Sequence, residues 1–543
     1  MFDAATSRRR EQFKHQTEDT PDMQKMSFEE AASKGMVLAW HAQQAPDRRA
    51  VSSERGERSF SELNAQANRL VRALRGAGVC AGDGVALLCS NRPEFVETVS
   101  ACQRAGFSLT PVNWHLTPPE VAYVVNNCEA VAFIAEARFA SSALLAASQS
   151  ANLRTKLAVG GPIEGFAPYD VLVGREPGQD IDDPVLGGQM LYTSGTTGHP
   201  KGVFRGSAPV ASSLFAKMVE TAKFNGASDV AVVTGPLYHA APLALNLSLP
   251  LANGVGVILM DKWDAEETLH LVDKHRITHT HVVPTMLHRI LLLPKAVRAK
   301  YDLSTLRWIL HGAAPCPVHV KQETIEWLGP VVFEYYGATE GGGVFVAPDE
   351  WLRKPGTVGK PTTGVVLQIQ DESASELPPG EVGTVYFKAP ETGRFEYFKS
   401  PDKTASAYRG DFYTMGDLGY VDPEGFLFLT GRSAEVIISG GVNIYPAEID
   451  QEIMKHPAVK DVAVVGVPSK DWGEEVKAVV QLNDAYQPSD ALAKDILDFA
   501  AARLAAFKRP RSVDFTADLP RLTTGKIVRR TVRDRYWTGE KKI

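Results

Sequence analysis

Leu63, Ala67, Leu70 and Leu74 recur at helical spacing, and Ser59 and Glu62 ahead of them stand three apart, as a capping box requires. The pattern predicts a helix entered at Ser59. Before it, residues 51–61 read as a hairpin turning near Glu54–Gly56. After it, residues 85–89 form an apolar strand, Pro93 opens a helix that runs to about residue 104, and residues 107–111 form the next strand. Strand, helix and strand joined by short turns make a βαβ unit, so a parallel sheet is expected.

The same alternation returns later in the chain. Residues 230–233, 255–259, 280–283, 307–310 and 331–335 are near-continuous apolar runs, the pattern of strands buried on both faces. Helical stretches at 265–274 and 318–327 separate them. Residues 380–387, 410–421 and 426–429 are short, alternating and punctuated by glycine, which predicts a β-rich lobe over about 355–430. Beyond Gly431–Arg432 the texture changes again, to a helix at 447–455, strands at 459–467 and 476–482 and a helix at 490–504. The fold class read from this is α/β. A polar tail (1–28) precedes a large N-terminal domain of parallel and mixed sheets with helices and the β-rich lobe (29–432). A small, mobile α+β C-terminal domain (433–543) comes last. At 543 residues the chain is too long for one core.

One apolar run needs a membrane check. Residues 230–260 contain no Asp, Glu, Lys or Arg, but Pro236, Pro242, Pro250, Asn246 and Asn253 interrupt them. A spanning helix has no such punctuation, so the run reads as buried strand, loop and helix, with no transmembrane segment. Charge adds little. With 58 basic against 64 acidic residues, the net charge of -6 gives no support for a nucleic-acid partner. The five cysteines are scattered and lack metal spacing, and Arg8, Arg9 and Arg10 are followed by no apolar run. Reduced thiols in a cytoplasmic protein without a secretion signal are expected.

The chemistry centres on residues 191–203, LYTSGTTGHPKGV. Gly195, Gly198 and Gly202 let backbone amides approach an anion. Thr193, Ser194, Thr196 and Thr197 add donors, and Lys201 brings a compact positive charge. A triphosphate cradle is the reading, although GxxxxGK[ST] fits nowhere in the chain. In open sheets, ligands bind past the carboxyl ends of strands. There the chain places Pro236–Tyr238–His239, Gly312–Ala313–Ala314–Pro315 and Tyr336–Gly337–Ala338–Thr339–Glu340. Glu340, a carboxylate near a triphosphate, suits Mg²⁺. His275, His279 and His281 lack a carboxylate or thiolate to complete a metal set.

TSGTTGHPKG resembles the signature loop of the adenylate-forming superfamily, which includes acyl-CoA synthetases, stand-alone adenylation domains and beetle luciferases, and later motifs extend the likeness from about Trp40 to Arg530. The resemblance implies that Thr339 contacts the nucleotide phosphate, that Tyr336 stacks on adenine and that Gly312, Ala313 and Ala314 line the base with backbone atoms, with Gly337 beside them. It implies that Asp417 in TMGDLGY binds both ribose hydroxyls, with Arg432 a second ribose or phosphate contact. Lys526 in PRLTTGKIVRR resembles the catalytic lysine, and a positive charge between two reacting anions answers the electrostatic need. His239 resembles a gate between acid and thiol. Ser439, Gly440 and Gly441 resemble a pantetheine tunnel, and Trp472, Phe507 and Lys508 elements that hold the coenzyme A nucleotide. Ala434 occupies the hinge, where the family more often has Asp or Lys.

The activity expected from the resemblance is that of an ATP- and Mg²⁺-dependent acyl-CoA synthetase working through an acyl-adenylate, with coenzyme A as co-substrate. A stand-alone adenylating enzyme loading a carrier protein, a luciferase-like oxygenase and a non-catalytic binding module are the alternatives. No buried carboxylate marks 230–260 for an amino-acid substrate. Ala240, Ala241, Ala244, Gly341, Gly342 and Gly343 suggest a roomy apolar pocket for a medium- or long-chain fatty, aromatic or polycyclic acid. A homodimer is a candidate assembly.

Overall fold

The capping box predicted at Ser59 forms. Ser59 Oγ accepts from the Glu62 amide at 3.2 Å, Glu62 Oε2 accepts from the Ser59 amide at 2.8 Å, and the helix runs Phe60–Gly76 with Leu63, Ala67, Leu70 and Leu74 buried. These apolar side chains belong to a core shared by two sheets, with Val85 and Leu87 from one and Val233 and Val257 from the other. The structure, a computed structural model, describes residues 26–193, 200–205, 213–439, 442–469, 471–522 and 525–537.

The first sheet has six parallel strands in the order Ala167–Pro168, Thr155–Val159, Ala130–Glu136, Gly84–Leu88, Ser108–Pro111, Gly188–Gln189. The second has nine. From Arg49–Ser53 through Gly256–Leu259, Val230–Val233, His279–Val282 and Trp308–His311 to Val332–Ala338 it is parallel; Gly56–Ser59 on one margin and Gly341–Val346 and Lys360–Pro361 on the other run antiparallel. The apolar runs in the sequence are these central strands, each covered on both faces. The β-rich lobe is an antiparallel sheet built on Leu367–Gln370, Gly383–Lys388, Phe412–Val421 and Leu427–Arg432.

Past Arg432 a separate sheet begins. Ile437–Ser439, Val442–Ile444, Val459–Ser469, Gly473–Leu482 and Ser512–Thr516 pack on helices Pro446–Ile453 and Asp490–Ala501 through Ile449, Ile453, Val464 and Ile496. Residues 230–260 form strand, π-helix (Pro242–Ser248), short helix and strand. Among the described residues no helix is long and apolar enough to cross a membrane.

The glycine run corrects one expectation. Gly341, Gly342 and Gly343 do not open a pocket. Their φ values of 143°, 123° and 148° lie where glycine is favoured, and a Cβ on Gly343 would meet Val365 Cγ2 at 2.7 Å. The small residues serve close backbone packing against Gly337, Tyr413 and Val365.

Asn91 ties the two sheets at their carboxyl edges, as Arg138 does through Asp261. Asn91, just past Gly84–Leu88, donates from Nδ2 to the carbonyls of Gly235 and Met260 at 2.9 Å each, and its Oδ1 accepts from the Leu237 amide at 2.9 Å. All of these partners are buried. Asn91→Ala strands three backbone groups and should lower the urea midpoint by the equivalent of about 1–3 kcal/mol. Tryptophan fluorescence during unfolding measures it, and an unshifted midpoint would show that the tie adds nothing to stability.

Candidate active site

A cavity of about 810 Å³ lies over the carboxyl ends of both sheets and under the C-terminal unit. Each wall comes from a strand exit. Asn113, His115 and Leu116 come just after Ser108–Pro111, and Tyr238, His239 and Ala240 after Val230–Val233. Ala313 and Ala314 come after Trp308–His311, and Tyr336, Gly337, Thr339 and Glu340 lie along and just past Val332–Ala338. Thr193 and Lys201 come from a hairpin, Leu191–Thr193 paired antiparallel with Lys201–Phe204. Asp417, Arg432 and Lys526 complete the lining. Ser194, Gly195, Thr196, Thr197, Gly198, Gly440 and Gly441 lie outside the described residues.

Asp417 organises one end of the cavity. Tyr336 donates its hydroxyl to Asp417 Oδ2 at 2.7 Å, and Arg432 Nε lies 3.0 Å from Asp417 Oδ1. Burial, and then Asp417, push the Tyr336 phenol well above its ordinary value, so it remains a donor. Its ring sits in the lobe's core against Phe387. Tyr336 is thus both a core residue and a cavity wall. The backbone at Ala313 is left-handed, φ 66°, and Gly312 lies flat on the Tyr335 ring, which a Cβ would meet at 2.5 Å.

Nearby, Glu340 Oε1 accepts from the Tyr397 hydroxyl at 2.9 Å, and Lys201 Nζ lies 4.9 Å from the centroid of the same ring. Burial and Lys403 lower the Lys201 pKa while Glu340 opposes them. A carboxylate with one oxygen held and the other open, beside a lysine and Thr339, is the donor chemistry that Mg²⁺ takes alongside phosphate oxygens. Glu340 would hold the ion.

Lys526 arrives from the other unit. It comes directly after Gly525, whose φ is 82°, on a turn docked by Thr285 Oγ1 donating to the Gly525 carbonyl at 3.3 Å. His288 Nε2 and the Lys460 carbonyl, 3.1 Å apart, make a second seam contact. Burial and then Arg432 lower the Lys526 pKa; Glu435 and Asp417 hold it up. The predicted coenzyme A residues are not brought here. Ser439, Trp472, Phe507 and Lys508 do not line the cavity; Trp472 and Phe507 are 54% and 49% exposed, and Lys508 is paired with Glu448 at 2.7 Å. Ala434 lies in a single 3₁₀ turn, Ser433–Glu435, directly after Leu427–Arg432.

His239 is half-buried, and desolvation followed by His115 brings its pKa down to about 4. His279 and His281 belong to the core: His279 contacts the Ala222 carbonyl at 2.8 Å and His281 the Tyr335 hydroxyl at 3.3 Å. No metal-holding cluster of His, Cys, Asp and Glu occurs among the described residues. Sequence reasoning missed Tyr397, Glu334 and His115. Tyr397 carries no motif and meets Glu340 only through the fold. Glu334 had a signal, a charge inside the apolar run 331–335. Its Oε2 is clamped by buried Lys321 at 2.6 Å, and it lines the cavity beside Ala313 and Ala314.

Two family models match the chain, the AMP-binding enzyme over residues 38–395 and the AMP-binding enzyme C-terminal domain over 448–526. The chain is 33% identical to the fatty acid–[acyl-carrier-protein] ligase ScoC of Streptomyces coeruleorubidus, covering 92% of this chain and 96% of that one. It is 34% identical to feruloyl-CoA synthase of Amycolatopsis sp, covering 91% and 97%. Its structure resembles that of the anthranilate CoA ligase AuaEII in complex with anthranoyl-AMP, with TM-score 0.83 and 25% identity over 93% of this chain and 97% of that one.

Asp417→Asn keeps the shape but removes the charge that holds Arg432 and weakens the acceptor for a ribose. Preference for ATP over its 2′-deoxy analogue, measured as a ratio of kcat/KM, should fall by roughly tenfold, the scale of one charged hydrogen bond. An unchanged ratio would remove Asp417 from sugar recognition.

Proposed function

This chain belongs to the AMP-binding enzyme family, in its acid–thiol ligase branch, and we propose that it converts an apolar ring-bearing acid to its coenzyme A thioester. In the first step a carboxylate oxygen attacks the α-phosphorus of ATP, pyrophosphate leaves, and an acyl-adenylate stays in the cavity. In the second a thiol sulfur attacks the acyl carbon and AMP leaves. The observation that carries the reading is Lys526: an ammonium group from the C-terminal unit, buried in the cavity with Asp417 and Arg432. Held there it lies where two anions, carboxylate and phosphate, must approach each other, and it offsets their repulsion. Mg²⁺ held by Glu340 would offset charge on the triphosphate oxygens. Lys201 and Thr339 hold those oxygens from the hairpin and the strand exit. Tyr336, Ala313 and Ala314 pack the base, and Glu334 accepts from its amine.

Two observations support the later step. Trp472 and Phe507 expose large apolar surfaces away from the cavity, and the chain between the two units narrows to the turn containing Ala434. A rotation there withdraws Lys526 and brings Ser439 and the coenzyme A residues to the cavity mouth. The acid end supports the choice of substrate. His239, Ala240, Tyr335 and Gly337 bound it, and behind Ala240 the space is packed with Ala241, Ala244, Leu245, Leu249, Trp308 and Phe345. Such a wall accommodates a compact ring better than a long chain.

A panel of aromatic, alicyclic and long-chain acids, each with ATP and Mg²⁺, tests the reading through pyrophosphate release and thioester yield with coenzyme A. Ring-bearing acids should give both. Adenylate that discharges only to a phosphopantetheinylated carrier protein would overturn the choice of acceptor, and faster turnover of long chains the choice of acid. Lys526→Ala should slow pyrophosphate release by roughly 10²–10³-fold. The required form of Lys526 is the protonated one, and its pKa is lowered from 10.5 by burial. Adenylation kcat/KM should therefore hold at lower pH and fall as pH rises through a value below 10.5. Residual activity of Lys526→Arg should lack that limb because a guanidinium stays charged. The same limb in both proteins would assign it to another group.

A further inference from the structure

We propose that His115 accepts the thiol proton in the second half-reaction. The assignment rests on the thioester reading above. An alkyl thiol has a pKa of about 8.5, so near neutral pH the incoming sulfur is mostly S–H, whereas the thiolate is the nucleophile. A base at the cavity is therefore needed.

Three imidazoles line the cavity, and their surroundings separate them: His288 Nε2 is engaged with the Lys460 carbonyl at 3.1 Å, at the seam. His239 is half-buried and held near 4, too weak a base to take a proton at neutral pH. His115 is exposed, and part burial followed by Arg138 lowers its pKa from 6.5, so its imidazole is neutral at neutral pH. Being exposed, it can return the proton to water. Among the described residues neither ring nitrogen of His115 makes a hydrogen bond, so both are open to a substrate.

The ring is nevertheless held in place. It stacks on Trp114 with centroids 3.7 Å apart, and the His115 amide donates to Asn113 Oδ1 at 2.9 Å. Trp114 stacks on Phe139 at 5.3 Å, and the Arg138 guanidinium covers both rings at 5.4 and 4.8 Å. Arg138 is fixed by a two-pronged pair with Asp261 at 2.8 and 3.0 Å. The titratable and charged groups around His115 are Arg138 with its partners Glu136 and Asp261, and Tyr238 and His239 on the facing loop. In the step, the S–H bond breaks and its proton goes to an imidazole nitrogen. The sulfur pair forms the C–S bond, and the acyl C–O bond breaks with its electrons leaving on the AMP phosphate.

The test supplies preformed acyl-adenylate and tracks thioester formation with coenzyme A, and with pantetheine, from pH 6 to 9. His115→Gln and His115→Phe should be slower at pH 7 by about 10²-fold, the scale of one general base. Their rates should climb about tenfold per pH unit toward the thiol pKa of about 8.5, as pre-ionised thiolate takes over, while the unaltered protein levels off earlier. A slower variant whose pH profile parallels that of the unaltered protein would make His115 a packing residue and overturn the assignment, as would an unchanged rate. If the unaltered protein discharges the adenylate to neither thiol, the thioester reading itself fails and His115 has no proton to take.

Discussion

Asn91 holds together the edges on which everything else depends. Parallel sheets present their binding loops at the carboxyl ends of strands, and this molecule needs two such edges to face one space. The amide of Asn91 reaches from the exit of Gly84–Leu88 to Gly235, Leu237 and Met260 on the other sheet. With the Arg138–Asp261 pair and the shared apolar core, it sets the loop bearing Tyr238 and His239 against the loop bearing Asn113 and His115. A neutral amide suits the position because it both donates and accepts, so three buried backbone groups are satisfied at once with no charge to desolvate.

Over that frame the cavity runs from a charged end to an apolar one. At the charged end, Lys201, Arg432 and Lys526 lie with Glu340, Asp417 and Glu435. Arg432 pairs with Asp417 at 3.0 Å, and burial lowers the pKa of Lys526 while Glu435 and Asp417 oppose it. Lys526 is the extreme case: it reaches that end from a different folding unit, so its charge is present only while the two units are docked. Thr285 and His288, each with one hydrogen bond across the seam, are a light attachment. A light seam beside a one-turn connection would suit the rotation proposed above.

The apolar end is defined by what fills it. The alanines and glycines that look like empty space in the sequence are occupied by neighbours: Val365 against Gly343, Gly337 against Gly342, Leu245 and Leu249 beside Ala241 and Ala244. Small residues here bring backbones together. The two histidines at this end differ by depth of burial, one driven toward neutrality at any working pH and the other left titratable.

Local pattern determined the elements. Ser59 and Glu62 made the cap, the apolar runs made the central parallel strands, and Gly431–Arg432 marked where one unit gives way to the next, because propensity, capping and periodicity act between residues close in sequence. Short motifs also named part of the cavity lining: Lys201, His239, Ala313, Tyr336, Glu340, Asp417, Arg432 and Lys526. Pairings across long sequence separations were decided only by the fold. Tyr397 on Glu340, Lys321 on Glu334 and Asn91 across two sheets have no local signature, since each is set by which strands become neighbours. The Gly341–Gly343 run was misread for the same reason. A missing side chain is visible in the sequence, but whether space or another backbone takes its place depends on how the sheet and the lobe pack.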